Sequence, residues 1–213
     1  MTEVKICGLT RPEDAIAAIE LGAWALGMIM WPGSPRHCTP EQAIEIAAAA
    51  ERRAELVGVF VDAKLGEVAH LADAVGLTLV QLHGREGPQY CEQIARRTGC
   101  KVIKAIRVRD VSSIQELRQF REVDYHLVDS HKFGVPGGTG ETFDWRVLRT
   151  LDQRIPLLLS GGLTPDNVEA AVQAVQPFAV DVASGVESAP GVKDHDRMRN
   201  FIERAQGTDK VAA

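Results

Sequence analysis

Cysteines are few in this sequence, and none lies in a pattern that binds metal or predicts a disulfide framework. The 213 residues include four cysteines, at positions 7, 38, 91 and 100. None forms a C-x-x-C pair, and no histidine completes the spacing of a zinc site. Because an acidic chain of this size rarely carries a disulfide framework without a secretion signal, we expect reduced thiols and a cytoplasmic location.

Long apolar runs and an excess of positive charge are also missing. Residues 1–5 lack a basic region followed by an apolar stretch, and the longest apolar run, Ala23–Trp31, is too short to span a bilayer. The net charge is −5, and aromatic residues do not alternate with basic ones. We therefore expect neither a membrane nor a nucleic acid as partner. A small anionic ligand stays compatible with this charge, since a local pocket can be positive on an acidic protein.

Eight short β-rich runs alternate with helical segments along the chain. Most of these runs are continuously apolar, which is typical of parallel strands that are covered on both faces. No G-x-G-x-x-G motif follows the first run, as a dinucleotide-binding open sheet would have. The predicted strands are Val4–Gly8, Ala25–Met30, Leu56–Val61, Thr78–Leu82, Val102–Ile106, His126–Asp129, Leu157–Ser160 and Ala179–Ala183.

Eight strand–helix units in so few residues favour a closed ring over an open doubly wound sheet. We predict a compact single-domain (β/α)₈ barrel of the α/β class over residues 1–206, followed by a frayed tail over residues 207–213. Hydrophobic residues make up 45% of the chain, which suffices for one core. No linker or low-complexity segment divides it.

Several helix starts and one helix end can be read locally. Capping boxes are predicted at Thr10–Glu13, Thr39–Gln42 and Ser113–Glu116, a further helix opens at Thr164, and Gly22 ends the first helix. Other helices are expected at about Lys64–Ala74, Pro88–Arg97, Asp144–Leu151 and Asp194–Gln206.

Two glycine-rich turns follow the seventh and eighth predicted strands. Gly161 and Gly162 follow one strand, and Ser184 and Gly185 follow the other. Glycines let backbone amides approach an anion, and barrel enzymes often bind phosphate at these two loops. The alternative is that these glycines only form tight turns. Both loops occur at the expected strands, which favours a phosphate site.

Two further strand ends carry groups that could act as base and acid. Cys7 ends the first strand, where it is either an inert buried thiol or, near phosphate amides and Arg36, a thiol of lowered pKa that serves as base or nucleophile. Asp129 ends the sixth strand. It either hydrogen-bonds the following loop or acts in catalysis. Glycines at 137, 138 and 140 make that loop a candidate lid.

Polar residues at other strand ends are candidates for binding. Arg36 follows Pro35 in the loop after the second strand, where its guanidinium could grip a planar carboxylate or simply face solvent. Asp181 lies in the eighth strand, where it could bind a ligand or cap a neighbouring loop. Gln81 and His83 lie at the end of the fourth strand.

At these positions the sequence resembles the phosphoribosylanthranilate isomerases. The resemblance covers Val4 to about Ile202, and its motifs occur in order at the strand ends. The matching segments are Lys5–Thr10, Ser34–Arg36, Gln81–Gly84, Asp129 with Gly137–Gly140 and Phe143–Trp145, Ser160–Leu163, and Asp181 through Val192–Asp194.

This family implies an Amadori rearrangement of N-(5-phosphoribosyl)anthranilate, without metal or redox cofactor. By the resemblance, Cys7 is the general base and Asp129 the general acid. Arg36 holds the anthranilate carboxylate, and Asp181 faces the anthranilate nitrogen. The two glycine turns hold the phosphate, and residues 81 and 83 line the pocket. We expect the small-molecule substrate to be the ligand of a monomer or homodimer.

Two departures and two alternatives accompany the resemblance. Met30–Trp31 replaces an aromatic pair and is expected to reshape the anthranilate pocket, while Ala183 replaces a small hydroxyl residue and removes one phosphate donor. One alternative is the related histidine-pathway isomerase, which uses an aspartate where Cys7 stands and carries a phosphate motif in each half. The other is a non-catalytic phosphate-sensing barrel, whose signature would be loss of the acid or base.

Overall fold

The protein is a closed barrel of eight parallel strands in a computed structural model that describes residues 1–108, 115–129, 148 and 154–207. The strands pair in chain order, and the last closes on the first. Their bounds are β1 Glu3–Cys7, β2 Ala25–Ile29, β3 Glu55–Phe60, β4 Leu79–Leu82, β5 Lys101–Arg107, β6 Tyr125–Asp129, β7 Leu157–Ser160 and β8 Ala179–Val182. The predicted barrel is confirmed, and the open doubly wound sheet is excluded.

Helices cover the outside of the barrel. The described helices are α1 Pro12–Glu20, α2 Pro40–Ala50, α3 Leu65–Val75, α4 Pro88–Thr98, α5 Val168–Val175 and α6 His195–Gly207, with a further helical turn at residues 115–117. After β8 the chain makes a 3₁₀ turn, Ser184–Val186, and an antiparallel hairpin of β9 Glu187–Ala189 and β10 Val192–Lys193. The sequence did not predict this hairpin.

The alternation of side chains along the strands creates two apolar layers. One fills the barrel and includes Val57, Leu79, Ile103, Leu127 and Leu158. The larger layer lies between strands and helices, where residues such as Ile6 and Leu26 are fully buried. Because both faces of the strands are covered, the strands appear in the sequence as continuous apolar runs.

The helix starts agree with the sequence only in part. The capping box at Thr39 is present: its hydroxyl accepts from the Gln42 amide at 3.3 Å, and the Gln42 side chain accepts from the Thr39 amide at 2.9 Å. The box predicted at Thr10 is wrong, because α1 has Arg11 as its N-cap and the Thr10 hydroxyl donates to the Gly191 carbonyl instead. The helix predicted to open at Thr164 begins at residue 168.

Other predicted boundaries have mixed outcomes. Gly22 follows the end of α1 with a left-handed φ of 93°, as expected of a helix stop. The Ser113 box and the helix predicted over residues 144–151 lie outside the described residues, apart from Leu148. Residues 208–213 lie outside them too, so the frayed tail and the domain limits stay predictions. Among the described helices, none has the length and apolar character needed to cross a membrane.

Candidate active site

The predicted site residues lie at one rim of the barrel. Parallel strands direct their carboxyl ends to the same side, which is the catalytic side in barrel enzymes. Their positions are Cys7 and Asp129 at the ends of β1 and β6, Gln81 in β4 with His83 directly after it, Asp181 in β8, Arg36 in the loop after β2, Gly161 and Gly162 after β7, and Ser184 and Gly185 after β8.

A chain of polar side chains follows the rim from β6 to β1. Asp129 pairs in register with Ser160 of β7, whose hydroxyl donates to Asp181 Oδ2 at 2.9 Å. The other oxygen of Asp181, Oδ1, accepts from Lys5 Nζ at 2.7 Å. Lys5 is two residues before Cys7 on β1, so both side chains lie on the same face of that strand. The side-chain network of Lys5, Asp181 and Ser160 therefore reaches from the strand that carries the thiol to the strand next to the one that carries the carboxyl group.

Lys5 is a site residue that sequence reasoning missed. Its side chain has no exposed area and ion-pairs with Asp181. Although burial lowers the pKa of the Lys5 ammonium, the charge of Asp181 and then that of Cys7 raise it, and the pKa is raised overall. The ammonium therefore stays charged inside the barrel. A lysine within a predicted buried strand was the available signal, since buried charges need partners.

Cys7 is in one of the two states that the sequence left open, a buried thiol. Burial raises the pKa of its thiol above the ordinary value, although Lys5 and Lys193 lower it by attracting the thiolate. The alternative of a lowered pKa is wrong, because removing the thiolate from water costs more than the neighbouring cations return. At neutral pH the resting sulfur is a thiol.

Arg36 is held by a carboxylate that the sequence did not predict. Its Nε and Nη2 donate to the two oxygens of Glu187 at 2.8–3.0 Å, with Nη2 and Oε2 forming the shortest contact. Its aliphatic part packs over Gly8, where an added Cβ would lie 2.7 Å from Arg36 Cδ. Glu187 is buried and belongs to the hairpin after β8, so the loop after β2 and this hairpin share one ion pair.

Lys193 joins the same hairpin to the ends of two barrel strands. Its Nζ donates to Glu187 Oε1 at 2.9 Å, to the Cys7 carbonyl at 2.6 Å and to the Ala183 carbonyl at 3.1 Å. Burial lowers the pKa of Lys193. Burial alone would raise the pKa of Glu187, but hydrogen bonds from Arg36 and Lys193 lower it. Glu187 is therefore ionised, and the hairpin fixes both Arg36 and the backbone of Cys7.

Polar contacts connect Gln81 to His83 and His83 to Asp129. Gln81 Nε2 lies 3.1 Å from His83 Nδ1, and His83 Nε2 lies 3.4 Å from Asp129 Oδ2. When the amide donates to Nδ1, the imidazole proton lies on Nε2 and faces the carboxylate. Gln81 is buried, and within the described part of the chain its Oε1 has no hydrogen-bond partner.

A cavity of about 890 Å³ opens beside these groups. Its lining includes Arg36, His83 and Asp129, with Trp31 as an aromatic wall. The predicted change of the pocket wall at Met30–Trp31 thus falls on a residue that lines it. The described lining does not include Cys7, Gln81, Asp181 or the glycine turns. The cavity therefore contains both the predicted carboxylate anchor, Arg36, and the predicted acid, Asp129. The predicted base, Cys7, lies outside this lining, beside Lys5 and Asp181.

The two predicted phosphate turns contact each other. Gly161 and Gly162 have left-handed φ values of 96° and 65°, a conformation that favours glycine. A Cβ added to Gly185 would overlap the Leu163 carbonyl oxygen. The turn after β8 therefore packs closely on the turn after β7, and the two form one glycine-lined surface.

Comparison with known proteins decides between the alternatives. Residues 4–204 match the family described as N-(5'-phosphoribosyl)anthranilate isomerase. The chain belongs to the phosphoribosylanthranilate isomerase family. A relative in this family from Geobacter sulfurreducens is 50% identical over 207 residues, which cover 97% of this chain and 100% of the relative.

Solved structures of the phosphoribosylanthranilate isomerase family share the fold. The enzyme from Thermotoga maritima has a TM-score of 0.88 and 43% identity, with coverage of 97% of this chain and 100% of that one. A second structure, described as this isomerase in complex with reduced 1-(o-carboxyphenylamino)-1-deoxyribulose 5-phosphate, has a TM-score of 0.87 and 41% identity at the same coverage. The resemblance seen in the sequence is confirmed.

Proposed function

We propose that the protein catalyses the Amadori rearrangement of N-(5-phosphoribosyl)anthranilate to 1-(2-carboxyphenylamino)-1-deoxyribulose 5-phosphate in tryptophan biosynthesis. The observation that carries this conclusion is the family match over residues 4–204. The position of Cys7 and Asp129 at one rim, with the Lys5–Asp181–Ser160 network of β1, β8 and β7 between them, supports it. This chemistry needs one acid, one base and two anchors, and no metal or redox cofactor takes part in the proposed steps.

Asp129 is the proposed general acid. The furanose ring must open, so the acid donates a proton to the ring oxygen as the bond to C1′ breaks and a Schiff base forms. His83 Nε2 lies 3.4 Å from the carboxyl group, which allows it to hydrogen-bond Asp129 and orient it.

Cys7 is the proposed general base. The cationic nitrogen of the Schiff base acidifies the C–H bond at C2′. The resting thiol first loses its proton to solvent, and the thiolate so formed takes the C2′ proton. The C–H electron pair becomes the C1′–C2′ double bond, and the π electrons of the C1′=N bond move to nitrogen. The resulting enolamine tautomerises to the ketone.

The substrate is held at both ends by its own anionic groups. The Arg36 guanidinium binds the anthranilate carboxylate, and the turns at Gly161–Gly162 and Ser184–Gly185 bind the phosphate through backbone amides. Because Ala183 has no hydroxyl, the phosphate depends more on those amides. Asp181 faces the anthranilate nitrogen, and Gln81 lines the pocket. Anchoring both ends fixes the sugar between acid and base.

Loss of phosphoribosylanthranilate fluorescence on addition of purified protein tests this function. We expect Cys7→Ser and Asp129→Asn each to lower kcat by about 10²–10⁴-fold, the usual contribution of a positioned acid or base. Binding of the reduced product should survive in both variants. A wild-type protein that leaves the fluorophore intact, or that rearranges only the histidine-pathway aminoaldose, would disprove the assignment.

Two finer predictions accompany this function. The cytoplasmic location follows from the expected reduced cysteines, and all four cysteines are free in the structure. The assembly state, monomer or homodimer, stays a prediction, and sedimentation of the purified protein measures it.

A further inference from the structure

Lys5 and Asp181 form a buried ion pair directly beside Cys7. Lys5 Nζ lies 2.7 Å from Asp181 Oδ1, and the two side chains are 0% and 7% exposed. Ser160 donates to the remaining oxygen of Asp181 at 2.9 Å, which fixes the carboxylate. A lysine has three N–H donors, so this ammonium can donate to another acceptor while it keeps Asp181.

Gly27 shows where the ammonium and the sulfur meet. A Cβ added to this glycine would lie 2.8 Å from Cys7 Sγ and 3.0 Å from Lys5 Nζ. Both atoms therefore occupy the space over Gly27, on the strand that pairs with β1. The Lys5 ammonium and a Cys7 thiolate also attract each other electrostatically. The absence of a side chain at position 27 makes room for this contact.

We propose that Lys5 is a positioning residue for the proton-abstraction step: its ammonium, held by Asp181, orients the Cys7 sulfur and stabilises the thiolate that removes the C2′ proton. This inference rests on the proposed function and deepens it. Lys5 transfers no proton itself. It donates to sulfur before the step as thiolate and after the step as thiol, and Asp181 keeps the ammonium in place throughout.

Four charged groups face Cys7, and Lys5 has the leading role among them. Among the charges, attraction by Lys5 favours the thiolate most, while Asp181 opposes it and Lys193 favours it less. Arg36 also attracts it from the loop after β2. Lys193 donates to the Cys7 carbonyl, and Arg36 is bound to a hairpin carboxylate. Of these cations, Lys5 is the one whose ammonium lies beside the sulfur over Gly27.

Ultraviolet titration of the Cys7 thiolate tests the inference without substrate. The pH-dependent absorbance of each protein minus that of its Cys7→Ser counterpart isolates this one thiol from Cys38, Cys91 and Cys100. We expect Lys5→Met to move the titration upward by about 1–3 pH units, the usual effect of one adjacent charge. Lys5→Arg, which keeps the charge, should restore most of the wild-type titration.

The pH profile of kcat gives a second readout. Lys5→Met should lower kcat at least about tenfold at neutral pH, and the deficit should shrink as pH rises and the thiolate forms without assistance. A purely structural role would lower the whole profile by a constant factor. That result, or an unmoved thiolate titration, would overturn the inference.

Lys104→Met is the matched control for loss of a buried ion pair. On β5, Lys104 Nζ lies 2.9 Å from the Glu86 carboxylate, and Lys104 is buried with a relative exposure of 2%, against 0% for Lys5. This control should leave the Cys7 titration where it is in the wild type. If Lys5→Met does not fold, Lys5→Met/Asp181→Asn removes both charges and should still raise the Cys7 titration, and an unchanged value there overturns the inference. Failure of the wild type to consume substrate would refute the proposed function and leave the titration interpretable.

Discussion

Single charged side chains at the catalytic rim are held by partners from distant parts of the chain. Lys5 meets Asp181, and Arg36 meets Glu187, at separations of 176 and 151 residues. Such partners remove the freedom of long side chains, whose ordering would otherwise cost binding energy. Substrate therefore meets groups that are already oriented.

Glu187→Gln tests this orientation at Arg36. The amide keeps the size of the side chain but loses the charge-assisted bidentate contact, so Arg36 should lose its fixed direction toward the anthranilate carboxylate. We expect KM to rise about tenfold, since a hydrogen bond to a charged group contributes about 1.5–3 kcal/mol. The change in kcat should be smaller, because Lys193 keeps its contacts with the Cys7 and Ala183 carbonyls. Steady-state kinetics and the Kd of the reduced product measure the effect.

Ser188→Ala is the control in the same hairpin, since this exposed hydroxyl donates to the Val192 carbonyl at the long distance of 3.4 Å. It should leave KM unchanged. A KM that falls in Glu187→Gln would contradict the prediction, because it would mean that Glu187 competes with substrate for Arg36.

Helix α2 begins with a complete capping box. Thr39 accepts from the Gln42 amide, and the Gln42 side chain accepts from the Thr39 amide. Thr39→Ala should lower the free energy of unfolding by about 1 kcal/mol, the usual cost of losing such a cap. Urea denaturation measures it, and Thr39→Ser, which keeps the hydroxyl, should lie close to the wild type. Equal loss in both variants would show that the hydroxyl does not cap the helix.

Local sequence predicted the elements whose signals are local. The barrel strands were found because buried parallel strands are continuously apolar, as in Leu157–Ser160. The box at Thr10 was wrong because its hydroxyl prefers a carbonyl 181 residues away, which no local pattern reveals. The hairpin after β8 escaped prediction because its strands, Glu187–Ala189 and Val192–Lys193, are too short to show a period.

The site was predictable where position at a strand end was enough. Cys7 and Asp129 were selected that way and lie at the ends of β1 and β6, while their catalytic roles stay predictions. Lys5 and Glu187 were missed because their significance lies in long-range ion pairs. The sequence could not decide between the two states of Cys7, because burial is a property of the whole barrel and because Arg36 is also bound to Glu187.

At the scale of the whole molecule, acid should weaken the fold through the hairpin. Hydrogen bonds hold the folded pKa of Glu187 below its ordinary value. Its contribution to stability is therefore present above the unfolded value of about 4.3 and is lost as pH falls through the lowered folded value. Wild type should exceed Glu187→Gln in free energy of unfolding at neutral pH, and this gap should narrow steadily on acidification.

Chemical denaturation at a series of pH values measures that gap. The exposed residue Glu122 provides a control for the loss of one surface charge. The free energy of unfolding of Glu122→Gln should differ little from that of the wild type at every pH. A gap between wild type and Glu187→Gln that stays constant down to strong acid would contradict the prediction.

The contacts of Lys193 have a consequence for how such a protein can change. Its ammonium donates to the carbonyls of Cys7 and Ala183 and to the carboxylate of Glu187, which orients Arg36. The same lysine therefore helps to fix both Arg36, the proposed anchor for the anthranilate end, and Cys7, the proposed base. A change in the hairpin that adapted the site to another group in place of anthranilate would also disturb proton abstraction by Cys7. Substrate selectivity and reaction rate must therefore change together in this barrel.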